Sequence, residues 1–176
     1  MSKIVLPDTL VEAYKHLGIK EIKGKQHNQE ILKWYKELKM SGIKDDETSW
    51  CGTFCAKVAK DAGRKYPKDF LGARNWLKVG TKLDKPALGA IVVFWRGSPK
   101  AWEGHVGFIA GKDAKGNLAV IGGNQSDMVK ISPYTTDRVL GYFWLHKIDG
   151  TGTVPFDDRY NLPIVKTDGT YLTNEA

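Results

Sequence analysis

The hydrophobic period of this chain changes once, near Pro86, and that single change restricts the fold more than any other feature. Before it, apolar residues recur at helical spacing. Asp8 is placed to cap a helix carrying Leu10, Val11, Tyr14 and Leu17, stopped by Gly18. A second helix is predicted from about Asn28 to Met40, with Ile31, Leu32, Tyr35 and Leu38 on its apolar stripe and Ser41-Gly42 ending it. A third starts near Trp50, with Ser49 or Thr48 as cap, Cys51, Phe54, Cys55, Val58 and Ala62 on one face, and Gly63 at its end. A short helix over Ala73 to Val79 is expected to bury Trp76 and Leu77.

After Pro86 the period becomes that of strands. Gly89 to Trp95, Gly104 to Gly111, Leu118 to Ile121, Met128 to Ile131 and Val139 to Leu145 are rich in β-branched and aromatic residues. Lys112-Asp113-Ala114-Lys115-Gly116 fits a hairpin turn between two of them. Helices first and antiparallel strands later predict an α+β domain, the helices packed on a C-terminal antiparallel sheet. At 176 residues the chain holds one such domain, here taken as residues 1–148 with a core at about 45–145. Residues 149–176 carry Pro155, Pro163 and several Gly without clear periodicity. They form a tail, either disordered or wrapped over the body.

Charge separates the same two parts. The formal net charge is +7, made of +10 over residues 1–148 and −3 over 149–176. The cations are 22 Lys and only 5 Arg. Arg is the better residue for bidentate recognition of bases and phosphates, so this surface favours diffuse attraction to an anionic polymer over nucleic-acid reading. No apolar run approaches the roughly 20 residues of a membrane span. The first eight residues lack the apolar stretch of a secretory signal, which predicts a protein made and kept in a cytoplasm until another route releases it.

Chemistry concentrates at Cys51. In the first turn of a helix, a thiolate is stabilised by the dipole and by N–H groups without intrahelical partners. The same N–H groups suit an oxyanion. The best placed base is His105, opening a strand in Glu103-Gly104-His105-Val106-Gly107-Phe108 among small residues that leave room for a substrate. Asn124, in Gly122-Gly123-Asn124-Gln125, closes the next strand and is expected to reach and orient the imidazole. Trp50 and Trp102 flank these residues and are expected to line a substrate cleft, with Gln125 as a further substrate contact. Cys55, one turn deeper, is read as a packed hydrophobe, His16 and His27 as surface residues, and His146 as structural.

Rival uses of these residues are weaker. Cys51-x₃-Cys55 has a zinc-like spacing, but no H-E-x-x-H or second close Cys/His pair completes a site. Asp45, Asp46 and Glu47 lack a full calcium loop and fit a solvated segment. Phosphate-binding glycine motifs are absent. The reading therefore names no metal and no cofactor.

Trp50-Cys51 opening a helix, Gly104-His105-Val106-Gly107-Phe108 opening a strand and Gly122-Gly123-Asn124-Gln125 closing the next resemble the CHAP domains, cysteine, histidine-dependent amidohydrolases and peptidases related to NlpC-type and papain-like hydrolases. The resemblance spans about residues 45–145 and includes Asp84-Lys85-Pro86 through Gly89-Ala90-Ile91-Val92-Val93-Phe94. It implies a papain-like fold and cleavage of peptidoglycan amide bonds, with Cys51 as nucleophile, His105 as base and Asn124 as orienting residue. Many CHAP domains place a Glu two residues before that Asn; here the position is Gly122, which leaves Cys-His-Asn. The resemblance further implies a phage-type endolysin, antimicrobial in effect and monomeric, whose partner is bacterial peptidoglycan. It would accumulate in the host cytoplasm and act on the wall after release. A bacterial amidase toxin with the same chemistry and a non-enzymatic wall-binding module are the alternatives.

Overall fold

The structure, a computed structural model, describes residues 4–24, 26–40, 42–44 and 49–167. Three α-helices come first among them: α1 (Asp8–Tyr14), α2 (Gln29–Glu37) and α3 (Cys51–Asp61). A 3₁₀ segment follows at Ala73–Lys78. Six strands then form one sheet: β1 (Thr81–Leu83), β2 (Ile91–Trp95), β3 (Gly104–Lys112), β4 (Leu118–Gln125), β5 (Met128–Tyr134) and β6 (Val139–Trp144). Their order is β1-β6-β2-β3-β4-β5, and every pairing is antiparallel. The expected α+β architecture, with helices packed on an antiparallel sheet, is present.

The sheet buries both faces. Ile91, Val93, Val106, Phe108 and Ile121 share a core with Phe54, Cys55 and Val58 of α3 and with Trp34 and Tyr35 of α2. Each such fully buried side chain contributes roughly 1.5–3 kcal/mol of transfer free energy. On the other face Val92, Phe94, Ile109, Val120 and Tyr134 form a second cluster, with Leu162 from the C-terminal segment against it. That arrangement explains why β2 reads as an unbroken apolar run: side chains that alternate between faces are apolar on both.

Several local expectations change. Asp8 does not cap α1; Pro7 holds the N-cap position, and the Asp8 carboxylate accepts from Arg64 Nε and Nη2 at 3.1 and 3.0 Å. The same guanidinium donates to Leu145 O at 2.7 Å and lies over the Trp144 ring, so one cation joins α1, the end of α3 and β6. In α2 it is Trp34, with Ile31 and Tyr35, that is buried, as is the C-cap Leu38; Leu32 stays partly exposed. The short helix after Gly72 is 3₁₀ and buries Trp76, while Leu77 remains half-buried. Strand β1 escapes sequence reading because three residues are too few to show a period.

The segment after β6 is wrapped over the body. Lys112 N donates to Pro163 O and Val165 N to Lys112 O, both at 2.8 Å, in a parallel bridge against the end of β3. Leu88 N donates to Arg159 O at 2.7 Å. Thr81 Oγ1 meets His146 Nε2 at 2.7 Å, which ties the strand end to β1. No helix among the described residues is long and apolar enough to cross a membrane.

Candidate active site

Helix α3 presents Cys51 as its first residue, with Trp50 as N-cap and no side-chain cap. The first N–H groups of a helix have no intrahelical acceptor, so a thiolate or oxyanion placed there meets donors and the positive end of the dipole. The helix reaches this position through Gly52. A Cβ at Gly52 would lie 1.9 Å from Phe70 O, so only glycine lets the first turn pack against that carbonyl.

Cys51 is 3% exposed and His105 is fully buried. The imidazole of His105 is close enough to Cys51 to act on the acidity of its thiol. Burial raises the Cys51 pKa, but His105, with the Val106 backbone and Ser49, brings it below the ordinary cysteine value. Cys55 shows the contrast. Burial, then the charge of Cys51, push its thiol well above the ordinary value, and its Sγ points at Val106 O at 3.7 Å. Two cysteines one turn apart thus differ in character because only the outer one meets an imidazole.

His105 opens β3 and pairs with Phe94 across β2. Its ring stacks with Tyr134 at 5.8 Å and 18° and with Phe94 at 6.4 Å and 23°. Its Nε2 lies 2.9 Å from Gln125 Oε1. This corrects the expected His105–Asn124 contact. Asn124 is buried, but its Nδ2 faces Ser49 Oγ at 3.5 Å. The register of β4 and β5 shifts between Gly122 and Gln125, and Asn124 sits at φ +60° within that bulge. A bulge re-aims the side chains that follow it, and Asn tolerates the left-handed conformation. Gln125 is correspondingly not on the substrate side: it is fully buried.

Trp50 is the second correction. It is fully buried, its ring 6.0 Å from that of Trp34, and its Nε1 donates to Glu21 Oε1 at 2.7 Å. It anchors the start of α3 to the core and lines no cleft. Trp102 is 85% exposed and stands on the rim of a cleft of about 140 Å³ that also takes in Ser49, Cys51, Ala73, Arg96 and Glu103. Arg74 holds this rim, donating to Glu103 O at 2.7 Å and to Pro99 O and Ser98 O at 2.8 Å. His16 is not a plain surface residue either; its ring meets Trp34 edge-on at 5.1 Å. Among the described residues no group of three His, Cys, Asp or Glu is placed to hold a metal, and Asp45, Asp46 and Glu47 lie outside them.

The family model of the CHAP domain matches residues 43–124, just under half of the chain. The match runs from ahead of the Cys51 helix, through His105, to Asn124. Over that segment the chain is similar to the CHAP domains. The CHAP family comprises amidases and peptidases that act on peptidoglycan. Gln125 lies one residue beyond the matched segment, so the contact to His105 Nε2 comes from outside it. No curated protein and no solved structure matches the chain.

Proposed function

We propose that this protein hydrolyses an amide bond of the peptidoglycan stem peptide with Cys51 as nucleophile and His105 as base. The observation that carries the reading is a buried thiol at the first position of a helix whose pKa is lowered, against its own burial, by the neighbouring imidazole of His105. His105 takes the Cys51 proton, and the thiolate attacks the amide carbonyl carbon. Free N–H groups of the first turn of α3, that of Cys51 among them, stabilise the tetrahedral oxyanion. His105 then protonates the leaving amine, the C–N bond breaks, and water releases the acyl group from sulfur. Trp102 offers a flat apolar face for substrate on the cleft rim.

In the same reading the chain serves as an endolysin. A net charge of +7 supports adsorption to anionic wall polymers, and release to the wall follows accumulation inside the host. The deciding experiment digests purified peptidoglycan with the wild-type protein and with Cys51→Ala, and identifies the products by mass spectrometry. Muramyl sugars freed of peptide indicate an amidase; cut stem peptides still on sugar indicate an endopeptidase. Intact wall after treatment with wild type, or full lysis by the variant, overturns the proposal.

A further inference from the structure

We propose that Gln125 is the positioning residue for His105, and that it fixes the imidazole in the tautomer with hydrogen on Nε2. The inference rests on the Cys51–His105 reading and adds which ring nitrogen is the base and what makes it so.

The orientation of the Gln125 amide follows from its partners. Its Nε2 lies 2.7 Å from Lys130 O and 3.2 Å from Val120 O. Main-chain carbonyls only accept, so the amide edge facing them is the NH₂ and both its hydrogens are used. The opposite edge, Oε1, therefore faces His105, and it also accepts from Tyr134 OH at 3.2 Å. A carbonyl oxygen cannot donate. The hydrogen in the 2.9 Å contact thus belongs to His105 Nε2. A neutral imidazole carries one N–H, so the lone pair sits on Nδ1. Proton transfer then runs from Cys51 Sγ to Nδ1, leaving thiolate and an imidazolium whose Nε2–H still bonds Gln125.

Two further features give this contact its rigidity. The imidazole plane is held in the stack with Phe94 and Tyr134, so Nε2 cannot swing away from Gln125 without leaving both rings. The room for Gln125 comes from Gly122. A Cβ at Gly122 would lie 2.5 Å from Gln125 Oε1 and 3.2 Å from His105 Nε2. Any side chain at position 122 and the Gln125 amide therefore compete for one place beside the imidazole. A carboxylate at position 125 would not substitute, because its second oxygen would face two carbonyls where donors are required.

The test reads the tautomer directly. In full-length Cys51→Ala, above the imidazole pKa, ¹⁵N–¹H correlation spectra assigned with His105→Ala should show His105 as the Nε2–H form. Gln125→Leu in the same background should convert this to a mixture. In the active protein, Gln125→Leu should lower kcat by at least about 10²-fold with KM within a few-fold. The double variant Gly122→Glu with Gln125→Ala, which offers an acceptor from the other position, should recover part of that kcat. An Nδ1–H form in Cys51→Ala, or a tautomer shifted by Asn124→Ala and not by Gln125→Leu, overturns the proposal. Should Gln125→Leu fail to fold, the spectrum of Cys51→Ala alone decides. Because the spectrum needs no turnover, failure here is distinct from failure of the Cys51 mechanism, which lysis by Cys51→Ala reveals.

Discussion

Cys51 and Cys55 share a helix, a burial class and a sulfur, yet their surroundings push their acidities in opposite directions. The difference is testable in one experiment. Thiolate is the reactive form, and its fraction rises with pH through the thiol pKa. Iodoacetamide should therefore alkylate Cys51 at lower pH than a free cysteine, while Cys55 in the folded protein stays unmodified, as peptide mapping by mass spectrometry would show. Equal labelling of both, or a midpoint for Cys51 at the ordinary value, would contradict the assignment. His105→Ala should move the Cys51 midpoint upward, because the burial that raises the pKa stays and the imidazole that lowers it is gone.

Helix α3 works only if its first turn lies close to the 3₁₀ segment and the rim beyond it. Gly52→Ala places a methyl group 1.9 Å from a main-chain oxygen, so the helix start must shift. We expect a loss of about 1–3 kcal/mol in stability, read by thermal or urea unfolding, and a larger loss of lysis, because Cys51 moves with the turn. The rim has its own clamp. Arg74→Ala removes donors to three carbonyls of the 98–103 loop. Hydrogen exchange should then rise in that loop and stay the same in α2, and KM should increase more than kcat falls. If exchange in the loop is unchanged, Arg74 is not what holds Trp102 in place.

The C-terminal segment and the charge distribution belong to the entire chain. Residues 157–165 bond to β3 and to Leu88 and place Leu162 against the second core. Truncation before Asp149 should lower the melting temperature by several degrees, since it uncovers apolar side chains and strips a bonded edge. An unchanged melting curve would show that the wrap is incidental to stability. The same truncation removes −3 of charge and leaves the +10 body. Adsorption of either form to purified wall should weaken as salt rises, because the Debye length falls to roughly 8 Å at 0.15 M and diffuse attraction is screened. Binding that ignores ionic strength would point to specific contacts instead.

Local pattern determined much of this protein. The period change at Pro86 separates the three α-helices from five of the six strands, and the placement of Cys51 at a helix start and His105 at a strand start follows from short-range spacing and β-branched runs. These are near-neighbour effects, which a sequence displays directly. Tertiary structure decided the rest. Trp50 has the same composition cue as Trp102, but one meets Glu21 and Trp34 and the other meets solvent. Asp8 has a helix cap's chemistry, but Arg64, 56 positions away, takes its carboxylate. Asn124 and Gln125 are adjacent amides, and the bulge at the end of β4 determines which one faces the imidazole. Side-chain direction after a bulge, and the partner that a polar group finds across the fold, depend on contacts between distant segments, so no local pattern carries them.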